Sequence, residues 1–281
     1  MPTLHQRLPA NAAGRDFIIG DLHGCLDLFQ AQLDHIRFDP ARDRVFSVGD
    51  LADRGPDSMG CLRLLREPWF HAVRGNHEAM LLDYAYPVVA PYAYDSPSRL
   101  FFRNGGRWVL DLGKSDQDEL RDDLVPRVAK LPYVLTVGDG ATRFHVAHAE
   151  LMTGEVDEAA MAWYRRLAGE EKARPKRVLT DAMLKDATLA TMTEALIWGR
   201  RLIREVGAGE VTELATPYGK LAISLKPRRT GLALTYVGHT PLTHMVLHAS
   251  HLFIDRGAYA RKPNTCLLMV EHARIQACLV S

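Results

Sequence analysis

Five segments of this 281-residue chain set oxygen- and nitrogen-bearing side chains directly after short apolar runs. GDLHG supplies Asp21 and His23, and GDLADRG supplies Asp50 and Asp53. GNHE supplies Asn76 and His77, His148 closes RFHVAH, and His239 stands in VGHTP. Taken singly, each is a turn with an incidental polar residue. The same construction five times over asks for a common purpose. Two divalent cations about 3.5–4 Å apart need a shared carboxylate with hard and borderline donors on either side, and aspartate, histidine and asparagine supply them. Mixed oxygen and nitrogen donors suit Mn²⁺, Fe or Zn²⁺, and the sulfur donors that would select a soft metal are missing from the set. Such ions bring the pKa of a bound water close to neutrality. Asn76 is neutral, which limits the negative charge of the set and eases the entry of an anionic phosphate.

Three arginines extend the chemistry. Arg54 and Arg74 adjoin the acidic and histidine loops, and Arg200 lies in LIWGRRLI. A guanidinium grips a phosphate through two parallel hydrogen bonds, a geometry lysine lacks. His77, beside Asn76, is placed to protonate a leaving oxygen, with Asp53 to orient it.

The elements that must position these residues can be read from periodicity. A buried strand Phe17–Ile19 ends in the first loop, and Leu26, Phe29, Leu33 and Ile36 then recur at helical spacing. A strand Val45–Val48 and a helix from Ser58 to Arg66, with Leu62 and Leu65 inward, repeat the unit, and WFHAVRGNHEAMLLDY repeats it again. Strand–loop–helix units in series predict an α/β fold with strands side by side and functional loops at one sheet edge. A polar helix is predicted from Gln117 to Ala129. Two strands follow in YVLTVGDGATRFHVAHAE, and others in GKLAISLKP, LALTYVGHTP, HLFIDRGAY and TCLLMVEH, with RIQACLV as a candidate last strand. One domain spans 1–281, with a charged, mostly helical insertion at 151–195.

Composition excludes several classes. Lys+Arg and Asp+Glu nearly cancel at 35 and 34, and no polybasic run is present, so bulk electrostatic binding of nucleic acid is not expected. No apolar run approaches the roughly 20 residues that cross a bilayer, and the N-terminus has no run of signal-peptide length. A soluble cytoplasmic protein is the expectation, with no membrane partner. Cys25, Cys61, Cys266 and Cys278 are far apart and read as small core residues in a reducing compartment. His5, His35, His71 and His272 read as surface or boundary histidines, and His244, His248 and His251 as flanking a strand without binding metal. Trp69, Trp108 and Trp163 read as packing residues, Trp198 as a support for Arg200, and Glu78 as a brace for the helix after Asn76.

In this order the motifs resemble the phosphoprotein phosphatase family of metallophosphatases, whose blocks are GD-x-HG, GD-x-x-DRG and GNH-E. Within it the chain looks most like the bacteriophage lambda type and its bacterial relatives. PWF-AVRGNHE, NGG-W, HA at 148–149, IW-R at 197–200, VGHTP and ID-GA extend the likeness. The resemblance implies a calcineurin-like β-sandwich flanked by helices. It implies Asp21, His23 and Asp50 on a first metal, and Asp50, Asn76, His148 and His239 on a second, with Asp50 bridging. It implies Asp53 and His77 as the proton-donating pair, Arg54, Arg74 and Arg200 on phosphate, and Mn²⁺ as the usual metal. The implied activity is phosphate-ester hydrolysis on proteins carrying phosphoserine or phosphothreonine. The alternative is symmetrical diadenosine tetraphosphate hydrolysis, or hydrolysis of another small phosphate ester, on the same scaffold. That dinucleotide branch lacks the Asp of DRG and has GNHD, whereas Asp53 and Glu78 are both present here. A binding module that has lost its chemistry is disfavoured because every expected site residue is retained. Ala52 stands where many relatives carry valine. Arg256 stands where close relatives have threonine, which implies a more basic phosphate pocket. Residues 151–195 and 205–231 find no counterpart, and substrate choice is expected to reside there.

Overall fold

The computed structural model describes residues 5–86, 97–151, 194–206, 211–224 and 232–280. In chain order the first strands are β1 (His5–Leu8), β2 (Asp16–Ile19), β3 (Arg44–Ser47), β4 (Phe70–Ala72), β5 (Val134–Val137) and β6 (Phe144–Ala147). They are followed by β7 (Val211–Thr216), β8 (Gly219–Ser224), β9 (Leu234–Val237), β10 (Met245–His248), β11 (His251–Phe253) and β12 (Met269–Glu271). The helices are α1 (Leu26–His35), α2 (Ser58–Arg63), α3 (Asn76–Ala85), α4 (Pro97–Arg103), α5 (Lys114–Glu119), α6 (Val125–Val128), α7 (Arg201–Val206) and α8 (His272–Val280). The strands form a four-stranded sheet of order β12-β2-β3-β4 and an eight-stranded sheet of order β1-β5-β6-β9-β11-β10-β8-β7.

Alternation along each strand explains the layers, because successive side chains point to opposite faces. Ile18 and Phe46 of the small sheet share a buried cluster with Leu135, Val146, Tyr236 and Leu252 of the large one. That is the interior of a sandwich. Phe17, Ile19 and Val45, on the opposite face of the small sheet, pack with Phe29, Leu62 and Leu81 of the helices. Val134, Ala147, Val237 and Val246, on the outer face of the large sheet, pack with Leu196, Ile197 and Leu202. Each fully buried aliphatic or aromatic side chain contributes about 1.5–3 kcal/mol of transfer free energy. The fold is an α/β architecture of two mixed sheets flanked by helices, the arrangement the resemblance implies.

Several expectations need correction. RIQACLV lies in helix α8, not in a strand. Ile275 is buried and Leu279 packs on the same inter-sheet cluster, and a spacing of four sets both on one helical face. The single polar helix begins earlier, at Lys114, and is broken into α5, a π-helical turn Leu120–Leu124, and α6. Pro126 is the cause, since its ring clashes with the carbonyl four residues back and it has no N–H to offer. Strands β1 and β7 were not expected. Both are edge strands, and β7 is largely exposed, so neither carries an apolar alternation to read. Cys25 and Cys61 are buried, but Cys266 is exposed and Cys278 half-buried, and all four are free thiols. His5 and His272 are buried, not at the surface. His5 bonds Thr136 Oγ1 at 2.9 Å, and His272 bonds the Tyr236 hydroxyl at 2.9 Å. Apart from Leu151 and residues 194–195, the segment 151–195, with Trp163, lies outside the described residues. No described helix is long and apolar enough to cross a membrane.

Candidate active site

Strands β2, β3 and β4 run parallel in one sheet, and β6 and β9 run parallel in the other. Each of the five singled-out loops follows one of these strands. The sequence pattern predicted one sheet edge. Instead, the carboxyl ends of parallel strands from two stacked sheets converge. The turns are strained: His23, Asp50, Asp53, Arg54 and His239 all have positive φ, from 41° to 73°. Such left-handed non-glycine residues cost about 1–3 kcal/mol each and persist where the surroundings impose them. Glycine is required where two loops touch. A Cβ on Gly238 would collide with Asp21 Oδ1, and one on Gly75 with Asp50 Oδ1.

Asp50 lies at the meeting point and is 2% exposed. Its Oδ2 faces His23 Nε2 at 3.5 Å, and its Oδ1 faces His148 Nε2 at 3.4 Å. The outer nitrogens of both histidines are committed. His23 Nδ1 donates to the Ala52 carbonyl at 3.1 Å, and His148 Nδ1 donates to the Val48 carbonyl at 2.7 Å. Each imidazole is therefore held with a lone pair on Nε2, aimed at Asp50. Burial keeps both neutral, lowering His148 and bringing His23 down to about 3. Around His148 Nε2 stand Asn76 Oδ1 at 2.9 Å and His239 Nδ1 at 3.2 Å. An acceptor oxygen facing an imidazole lone pair, beside a carboxylate, is an arrangement that a cation satisfies. Among the described residues, two groups have ligand atoms within 4.8 Å of one another: His23, Asp50 and His77, and Asp50, His148 and His239. Asp50 belongs to both. The donor set thus fits a pair of hard-to-borderline metal ions. Asp21 lies 4.0 Å from His23 Nε2, and its carboxylate accepts the His239 backbone N–H at 3.1 Å.

His77 Nδ1 bonds Asp53 Oδ2 at 2.6 Å, while its Nε2 is buried, has no hydrogen-bond partner, and lies 3.9 Å from Asp50 Oδ2. Burial alone would lower the His77 pKa, but the Asp50 and Asp53 carboxylates outweigh it and raise it above the usual histidine value. Arg54 is exposed, and its Nη1 donates to His23 Nε2 at 2.9 Å. Its guanidinium also lies 4.8 Å over the Tyr259 ring. Arg74 is buried, with Nη2 on the Ala129 carbonyl, Nη1 on the Tyr133 hydroxyl, and Nε unpartnered. Arg200 reaches the His239 carbonyl at 3.5 Å.

Other residues complete the site, and sequence reading either missed or understated them. Glu78 braces α3 through the Gly75 N–H, as expected, but it also accepts the N–H groups of Asp50 and Leu51, all at 2.8 Å. Burial and the Asp50 charge push its carboxyl up to about 7, against the pull of those three donors. Trp108, read as packing, donates its indole N–H to Asp53 Oδ1 at 2.6 Å. Asp255 is buried against Asp21, and burial raises it to about 6. Glu150 caps the start of α7 through the N–H groups of Arg201 and Leu202, which fixes the chain beside Arg200. Trp198, expected to support Arg200, sets its ring edge-on to His239 at 5.9 Å. Arg256 does not enrich the pocket: its Nε and Nη2 donate to the carbonyls of Leu242 and Asn264, clasping two loops. His248 and His251 bond Ser224 and the Leu151 N–H, and they join neither ligand group.

The family model of calcineurin-like phosphoesterases matches residues 17–184. The chain belongs to this family. Calcineurin-like phosphoesterases use dinuclear metal centres. Over 147 residues the chain is 40% identical to serine/threonine-protein phosphatase 1 of Salmonella typhimurium, covering 52% of this chain and 64% of that relative. The chain thus spans somewhat under two thirds of that relative's length. Over 87 residues it is 40% identical to a symmetrical bis(5'-nucleosyl)-tetraphosphatase of Actinobacillus succinogenes, covering 30% of this chain and 32% of that relative. Its fold is similar to the crystal structure of a cold-active protein-tyrosine phosphatase from a psychrophilic Shewanella, with TM-score 0.54 and 12% identity over 96% of this chain and 78% of the other.

Proposed function

We propose that this family member is a metal-dependent phosphomonoesterase that acts on phosphoserine and phosphothreonine in proteins. The observation that carries the reading is Asp50, with one oxygen toward His23 and the other toward His148. Asp21, His23 and Asp50 would hold one divalent ion, and Asp50, Asn76, His148 and His239 the other, with Mn²⁺ the proposed metal. Such ions supply a nucleophilic water and neutralise charge on the transferring phosphoryl group.

The remaining roles belong to the side chains. His77 Nε2 gives its proton to the ester oxygen as the P–O bond breaks. Asp53 holds the opposite nitrogen and stabilises the imidazolium beforehand. Arg54, once released from His23 Nε2, turns its guanidinium to the phosphate, and Arg74 and Arg200 take further oxygens.

A second reading, symmetrical dinucleotide tetraphosphate hydrolysis, draws support from the Actinobacillus relative. Asp53 and Glu78 favour the protein substrate. The test is hydrolysis of a phosphoserine peptide, a phosphotyrosine peptide and diadenosine tetraphosphate at matched Mn²⁺. The proposal expects the phosphoserine peptide to be the preferred substrate. Preference for the dinucleotide would transfer the assignment to the second reading. Folded protein that turns over none of them, nor p-nitrophenyl phosphate, would sink the enzyme reading.

A further inference from the structure

Asp53 has no free oxygen. Oδ2 is held by His77 Nδ1 at 2.6 Å, and Oδ1 by the Trp108 indole N–H at 2.6 Å. The backbone N–H of Asp53 is fixed as well, by Ser58 Oγ at 2.9 Å. Trp108 comes from a different part of the molecule, the 3₁₀ turn Gly106–Asp111 in the helical layer, 55 residues along the chain. Its loop is seated directly on the Asp53–Arg54 turn. Gly105 there has φ of 109°, and a Cβ on it would meet the Arg54 backbone nitrogen at 2.9 Å. The loop and the turn are therefore fitted to each other at backbone level, and the fit sets the indole against the carboxylate.

We propose that Trp108 is a positioning residue for proton delivery: its indole N–H fixes the Asp53 carboxylate so that Asp53 in turn aims His77 Nε2 at the leaving oxygen. This rests on the phosphoester-hydrolase reading above. A carboxylate with one hydrogen-bonded oxygen can rotate about its Cβ–Cγ bond. A second, charge-assisted bond on the other oxygen removes that freedom. The bond to Asp53 is the one hydrogen bond on the His77 ring among the described residues, with His23 packed edge-on at 4.6 Å between centroids, so the freedom lost by Asp53 is precision gained by His77. The Trp108 indole N–H is committed to Asp53, so its effect on the ester runs through that carboxylate. A phenylalanine in its place keeps most of the packing and deletes only the donor.

The experiment compares wild type and W108F, both full-length and Mn²⁺-loaded, on p-nitrophenyl phosphate and phenyl phosphate. The nitrophenolate leaves with almost no need of a proton, whereas phenolate needs one. W108F is expected to lower kcat on phenyl phosphate by on the order of 10-fold, the usual worth of a hydrogen bond to a charged group. Its KM should hold, and p-nitrophenyl phosphate turnover should change little. In a D53N background, W108F should add no further loss. Equal losses on both esters, a change confined to KM, or full additivity with D53N would each overturn the role. Should W108F fail to fold, the ¹⁵N-labelled wild type still decides. Among its four tryptophans, Trp108 should show a slowly exchanging indole proton whose resonance moves in D53N, and an indole signal indifferent to D53N would overturn the bond. Wild-type protein that hydrolyses neither ester removes the phosphatase reading and this inference together. Hydrolysis with leaving-group dependence unchanged in W108F removes this inference alone.

Discussion

His77 is the residue whose role is most sharply posed. Its Nε2 is buried and has no hydrogen-bond partner, and it lies near enough to Asp50 to share an ion with it. Its tight bond to Asp53 suits the second role, because an ion pair is the partner a proton donor needs. H77N should therefore lower kcat by about 10²–10⁴-fold while metal content holds. Metal analysis of the purified variant checks this, and a large loss of metal would make His77 a ligand. The neighbouring Glu78 acts differently. It collects three backbone N–H groups from two loops, and in E78Q the amide nitrogen would face donors it cannot accept. A stability loss of about 1–3 kcal/mol is expected, read from urea unfolding at neutral pH.

Among the elements, the site depends on loops that touch only because glycines let them. Gly238 carries the turn after β9 to within contact of Asp21 in the loop after β2. G238A should lose metal affinity and activity together, since the added methyl must push the carboxylate or the His239 turn aside. Calorimetric Mn²⁺ titration measures it, and unchanged affinity would contradict the contact. Asp21, His23, Asp50, Asn76, His148 and His239 were readable because each follows an apolar strand, all but His148 in a loop that also carries glycine. Trp108 was not, since an indole at the edge of a helical layer has the same sequence signature whether it packs or donates. Asp255 was noticed only as part of a motif, because its contact with Asp21 spans most of the chain. Arg256 was misread because adjacency in sequence said nothing of where its guanidinium would find carbonyls.

At the scale of the whole molecule, strand–loop–helix repetition told of parallel strands but not of how many sheets they form. Three of the loops belong to one sheet and two to the other, and only inter-sheet packing of residues such as Ile18, Phe46 and Val146 brings them together. Stability away from the site can be probed through Asp43. Burial alone would raise its carboxyl, but Arg15 and the N–H groups of Asp39 and Arg15 outweigh that and hold it below the usual value. A carboxylate depressed on folding contributes stability that is present above its unfolded pKa of about 3.9 and is lost as pH falls through the folded value. D43N should thus cost about 1–2 kcal/mol at neutral pH, the lower part of the range because Arg15 is partly exposed. The difference from wild type should shrink in denaturation curves taken below pH 4. The central claim is that both sheets meet on Asp50 to hold two ions. Its most direct test is Mn²⁺ stoichiometry and p-nitrophenyl phosphate turnover in wild type and D50N. About two ions are expected per wild-type chain, and in D50N the loss of tight metal binding together with metal-dependent turnover. A D50N protein that keeps both would contradict it.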